Sequence, residues 1–141
     1  MKKITLVPFL CVLSLLFLLA GCGGKYSDVK KINEQYIDLV EAHIADLDKA
    51  DNAADVATAL NRFADGMEDL WPEMQKLSEK YPELKDKSNP PEELKETQKR
   101  SEELGKKMAG SMMKMMQYMM DPEVQKAQQR LGAVMMKKSR G

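Results

Sequence analysis

Histidine is almost absent from this chain, and its scarcity excludes more chemistry than any motif present suggests. One histidine, His43, occurs in 141 residues. A single imidazole cannot build a His-rich zinc site, and it leaves nothing to spare for Ser-His-Asp or Cys-His catalysis. Cysteine is nearly as scarce. Two thiols, Cys11 and Cys22, make neither a dense disulfide scaffold nor a four-thiolate zinc site. Net charge is missing too, because 22 basic side chains balance 22 acidic ones. That balance removes the long-range attraction expected of a nucleic-acid-binding protein. Aromatic residues make up 6% of the chain, and strand-like alternation appears nowhere. No Gly-rich phosphate loop, nucleophile elbow, His-Glu-x-x-His pair, EF-hand loop or Glu-x-x-His repeat is found. The expectation is a protein that is not an enzyme.

What is present begins at the first residue. Met1-Lys2-Lys3 is basic, and Ile4 to Ala20 is apolar apart from Thr5, Pro8 and Ser14. A basic start, an apolar run and small residues before a break are the order of a secretory signal. The run is too short, and too interrupted by Pro8, for a spanning helix of about 20 apolar residues. It ends in Leu19-Ala20-Gly21-Cys22, which resembles the lipobox of bacterial lipoproteins. The resemblance covers residues 1–22 and names no family for the rest. It implies that residues 1–21 are a cleaved signal peptide and that Cys22 carries a diacylglyceryl thioether. Cys22 then becomes an acylated N-terminus, since two or more lipid chains anchor durably where one does not. Gly23 stands where an Asp would hold an enteric-type lipoprotein at the inner membrane. By the same resemblance the protein belongs to the bacterial cell envelope, on the outer membrane facing the periplasm if the host is diderm. The lipid on Cys22 is then the one attached group expected, and the membrane one expected partner.

Removing residues 1–21 leaves 120 residues with 20 basic and 22 acidic side chains, and no free thiol. Residues 22–27, with Gly23-Gly24-Lys25, form the lipidated Cys and a brief tether. Residues 28–141 are expected to fold as one helical domain. Ser27 or Asp28 suits an N-cap, and Val29, Ile32, Tyr36, Leu39 and His43 recur at helical spacing to about Asp48. Asn52 suits the next N-cap. Val56, Leu60, Phe63, Met67, Leu70, Met74, Leu77 and Tyr81 then step alternately by four and three, the seam of a left-handed bundle. Pro72 stays in phase with that seam, which predicts a kink without a break. Pro91 opens a third helix through Leu94, Ser101, Leu104, Met108, Met112, Met115 and Met119. Along it Ser101, Gly105 and Ala109 form a small-residue stripe that would admit a close neighbour. Asp121-Pro122-Glu123 starts a last, short helix with Val124, Leu131, Val134 and Met135, ending basic at Lys137, Lys138 and Arg140. The predicted fold is all-α: a small antiparallel bundle of three longer helices and one shorter C-terminal helix.

Methionine is the abundant residue. Met108, Met112, Met113, Met115, Met116, Met119 and Met120 crowd into one segment. At 100° per residue they fill a sector about 160° wide, with Lys106, Lys107, Gly110, Ser111, Lys114, Gln117 and Tyr118 opposite. Three readings fit. The sulfurs fill a core between neighbouring helices, they present an adaptable surface to a protein partner or apolar client, or they bind Cu(I) and, by extension, Ag(I). For the metal reading the candidates are Met112, Met115, Met116, Met119 and Met120, with i,i+4 pairs converging on one ion. Leu, Ile, Val and Phe number only 18 in the 120 residues, so the core is thin and methionine-heavy.

Two smaller features complete the inventory. His43 lies on or beside the first helix's apolar face, where a boundary histidine with a hydrated tip is expected. A speculative alternative is a haem axial ligand opposite a Met, by resemblance in size and class to small haem-b cytochromes. Asp65, Glu68, Asp69 and Glu73 gather on the second helix's outer side, as an acidic pair or a cation site would, but without the loop geometry of an EF-hand or the Glu-x-x-His repeats of di-iron bundles. Charge is also unevenly placed, net −6 over residues 22–80 and net +6 over residues 106–141. Either the two halves neutralise each other internally, or the basic end meets anionic headgroups.

Overall fold

A computed structural model of the chain describes residues 24–85 and 90–136. Cys22 and the lipobox, the loop residues Ser88 and Asn89, and the basic tail Lys137, Lys138 and Arg140 lie outside the described residues. The fold is an all-α bundle: α1 (Ser27–Lys49), α2 (Ala53–Lys80), a 3-10 turn (Pro82–Lys85), α3 (Glu92–Gln117) and α4 (Pro122–Met136). None of these helices is long and apolar enough to cross a membrane.

Local chemistry sets most of the boundaries. Asn52 caps α2 by accepting from the Asp55 amide at 2.9 Å, and Asp55 returns the favour to Asn52 and to the Asp51 amide. Asp121 Oδ1 accepts from the Glu123 amide and opens α4. At α1 neither predicted cap is used. Tyr26 occupies the N-cap position without a side-chain bond, because Asp28 is turned to Lys80 Nζ at 2.6 Å and the Tyr81 hydroxyl at 3.0 Å. Those bonds fasten the start of α1 to the end of α2, and Lys80, first among them, holds the Asp28 carboxyl below its usual value. Pro72 lies within α2, which continues to Lys80.

The helices pack as α1 with α2, α2 with α4, and α1 with α3. Consecutive helices run in opposite directions, so the packed pairs α1/α3 and α2/α4 are parallel. At one end Leu94 joins Val29 and Tyr81; at the other Ser111 donates to Asp48. The central core joins Ile37, Val40 and Ile44 of α1, Phe63, Ala64 and Met67 of α2, Leu104 of α3 and Val134 of α4. Gly66 lets α2 approach α1 closely, since a Cβ there would fall 2.3 Å from Leu39. The α2 seam is buried from Val56 to Leu70 but only half-buried at Met74 and Leu77. With 15 residues against 28, α4 is about 20 Å shorter than α2 and ends before that last stretch. Below its end an open cleft of about 610 Å3 separates Tyr36 and Met74 from Leu94.

Candidate interaction surface

The face that α3 turns inward departs from its most apolar one. Leu94, Thr97, Leu104 and Ser111 are buried, and Ser101, Met108, Met115 and Tyr118 are half-buried. These positions step 3, 4, 3, 4, 3, 4, 3 along the chain, a regular seam in which half the side chains carry hydroxyls. Hydrogen bonds explain the choice. Ser111 Oγ donates to Asp48 Oδ1 at 3.0 Å, Lys114 donates to the Asp48 carbonyl, and the Tyr118 hydroxyl donates to the Asp51 carbonyl at 3.0 Å. The end of α1 leaves carbonyls without helical partners, and α3 supplies donors to them.

Docked this way, the segment Met108–Met120 keeps two of its seven methionines inward and displays the other five. Met108 packs on the central core and Met115 on the upper one around Leu47, Val56 and Val124. Met112, Met113, Met116, Met119 and Met120 are 50%, 71%, 63%, 40% and 84% exposed. The core-filling reading therefore fails for these five, and the predicted seam through Met112 and Met119 is replaced by one through Ser111 and Tyr118. Helix α3 also ends at Gln117, so Met119 and Met120 belong to the turn that follows, held by 3-10-type bonds from Tyr118 and Met119 amides. Met135 and Met136 of α4 are exposed as well.

Among the described residues, exposed Met112 and Met116 border the side of the bundle between α3 and α4. The α1-facing flank of α3 is fixed by Arg100 with Glu41 at 3.5 Å and by Lys114 with Asp48. Its opposite flank, one third of a turn or more away, carries Gly105, Ala109, Met112 and Met116. Likewise Arg130 turns one flank of α4 to Asp65, Glu68 and Asn61 of α2. The other flank carries Gln125, Gln128, Gly132 and Met135. These two free flanks face a common seam, because α3 and α4 follow one another through a short turn yet are not a packed pair. A Cβ added at Gly105 or Gly132 would meet nothing within 4 Å. Of the small-residue stripe, Ser101 lies on the inward seam, while Gly105 and Ala109 are exposed and receive no close neighbouring helix, contrary to the sequence expectation.

The remaining candidates resolve plainly. His43 is buried, not at a hydrated boundary: Nδ1 lies 3.2 Å from the Ala59 carbonyl, and the ring stacks on Phe63 at 4.6 Å. Burial pushes its pKa below the ordinary value, opposed by the Ala59 hydrogen bond and by Asp46. Its position between α1 and α2 makes it a core residue. Of the acidic group on α2, Asp65 and Glu68 face Arg130, and no cluster of metal-ligating His, Cys, Asp or Glu exists among the described residues. Of the basic residues between 106 and 141, Lys114 and Arg130 meet acceptors of the acidic half, at Asp48 and at Asp65 and Glu68, while Lys137, Lys138 and Arg140 lie outside the described residues. Sequence reasoning missed Ser111 and Tyr118; their spacing from Leu104 was the available signal. No protein-family model, curated protein or solved structure matches this chain.

Proposed function

We propose that this chain is a lipid-anchored lipoprotein of the bacterial cell envelope that works without catalysis, as an interaction or adaptor protein. Its working surface is the methionine-rich flank of α3 and the turn after it, which contacts a protein partner or an apolar client. The observation that carries the reading is the exposure of Met112, Met113, Met116, Met119 and Met120 on a folded domain. Contiguous apolar surface of this kind is kept when it is used, and unbranched thioethers adapt to varied apolar partners. The anchor reading rests on Leu19-Ala20-Gly21-Cys22, and the outer membrane of a diderm host rests on Gly23 standing where a retaining Asp would be.

Two measurements test the two halves. Replacing Cys22 with Ala should release the protein from membranes; a variant that stays there refutes the anchor. Co-purification from native membranes, comparing the natural chain with Met113→Glu/Met116→Glu, should lose a bound protein in the variant; identical associated proteins refute the surface. A second reading is supported by exposed sulfurs on successive turns, Met112 and Met116, with Met119 and Met120 beyond them. Such thioethers suit Cu(I) or Ag(I) buffering. Met115, half-buried against Leu47 and Val124, is the member of the set least able to join. A Cu(I) competition titration showing nothing tighter than micromolar ends that alternative.

A further inference from the structure

We infer that the occupant of this methionine face is the same face of a second copy of the chain, in a two-fold symmetric dimer. The inference rests on the reading of the face as an interaction surface and goes further by naming what covers it.

Two observations point to a copy. The first is area. Taking roughly 200 Å2 for a fully exposed methionine, the five of α3 and its turn present about 600 Å2, the share one partner gives to an interface at the lower end of the specific range, about 1,200 Å2 in total. The second is the charge pattern. In a chain with 31% charged residues, the seam-side flanks from Gly105 to Met120 and from Gln125 to Met135 carry no charge. The charges at its edges are Glu102 below, Lys106 at the outer rim and Asp121 at the top, directly after Met120. A two-fold interface sets each residue near its own counterpart at the axis, so a central charge would face itself; an uncharged centre avoids that repulsion.

With the axis along the helices, both Gly24 ends lie on the same side, so two lipid anchors enter one leaflet.

The test uses the full-length chain in its native membranes. Two differently tagged copies are co-expressed with photoreactive diazirine methionine, illuminated, and the cross-linked peptides are read by mass spectrometry. The expected product contains both tags, joined at Met112, Met113 or Met116. In Ala109→Glu/Gln125→Glu, two exposed seam sites that leave every cross-linking methionine in place, the doubly tagged product should fall at least tenfold while far-UV circular dichroism is unchanged. Links to another protein alone overturn the dimer but leave the interaction-surface reading standing. Links to lipid alone, or none to any protein, overturn both, and a dimer yield unchanged in the doubly charged variant overturns the dimer.

Discussion

Replacing Met112, Met113, Met116, Met119 and Met120 together with Gln separates a displayed methionine face from a buried one more sharply than any single change. Gln matches Met in length and nearly in helix propensity, so the exchange mainly removes apolar character. The five side chains are on average about three-fifths exposed. Surface substitutions of this kind stay within about 0.5 kcal/mol each, so the five together should cost no more than about 2.5 kcal/mol. Five truncated core methionines, at about 2 kcal/mol or more apiece, would cost about 10 kcal/mol. That approaches or exceeds the whole stability of a small domain, roughly 5–15 kcal/mol. The assay is urea unfolding followed by helical circular dichroism, at several protein concentrations extrapolated to infinite dilution so that self-association does not contribute. A folded five-fold variant with an unchanged m-value is the expected outcome. A variant that is unfolded in buffer, or that loses more than about 4 kcal/mol, would refute the placement of these residues on the surface.

Other outcomes follow from the same packing. Met67→Ala, at a site 2% exposed in the central core, should cost about 2–5 kcal/mol in the urea assay. Asn52→Ala removes the α2 cap and leaves the Asp55 amide without its acceptor, at about 1 kcal/mol, measured the same way. His43 gives a pH dependence whose sign is fixed by burial. Its folded-state pKa lies below the ordinary 6.5, so the unfolded chain takes up the proton first. Stability should be full above pH 6.5, fall as pH drops below it, and level off beneath the folded-state value. His43→Gln should flatten that part of the profile, and an unchanged slope in the variant would show that other groups cause it.

How far the sequence could be read differs between helices, and the reason is physical. On α2 the heptad seam coincided with the hydrophobic stripe, so Val56 through Leu70 were legible. On α4 the pair Asp121 and Pro122 marked the start, and Val124 and Val134 the buried side. On α3 two faces competed. The methionine face was the more apolar, but the end of α1 offered Asp48 and the Asp51 carbonyl, and Ser111, Lys114 and Tyr118 answered them. Periodicity alone ranks faces by apolarity and cannot weigh hydrogen bonds to a neighbour's exposed carbonyls. His43 misled for a related reason: its stacking on Phe63 and its bond to the Ala59 carbonyl depend on how α1 and α2 meet. The clasp of Asp28, Lys80 and Tyr81 was equally hidden, because its members are more than fifty positions apart.

The most direct test of a face displayed by the fold and covered in place is methionine oxidation by dilute peroxide, read residue by residue. Sulfoxide formation follows sulfur exposure. In dilute monomer, Met113, Met116 and Met120 should oxidise quickly and Met67 slowly. In native membranes Met67 should be unchanged, while the exposed three become protected. Equal rates for the exposed methionines in both settings, or slow oxidation in the monomer, would contradict the account.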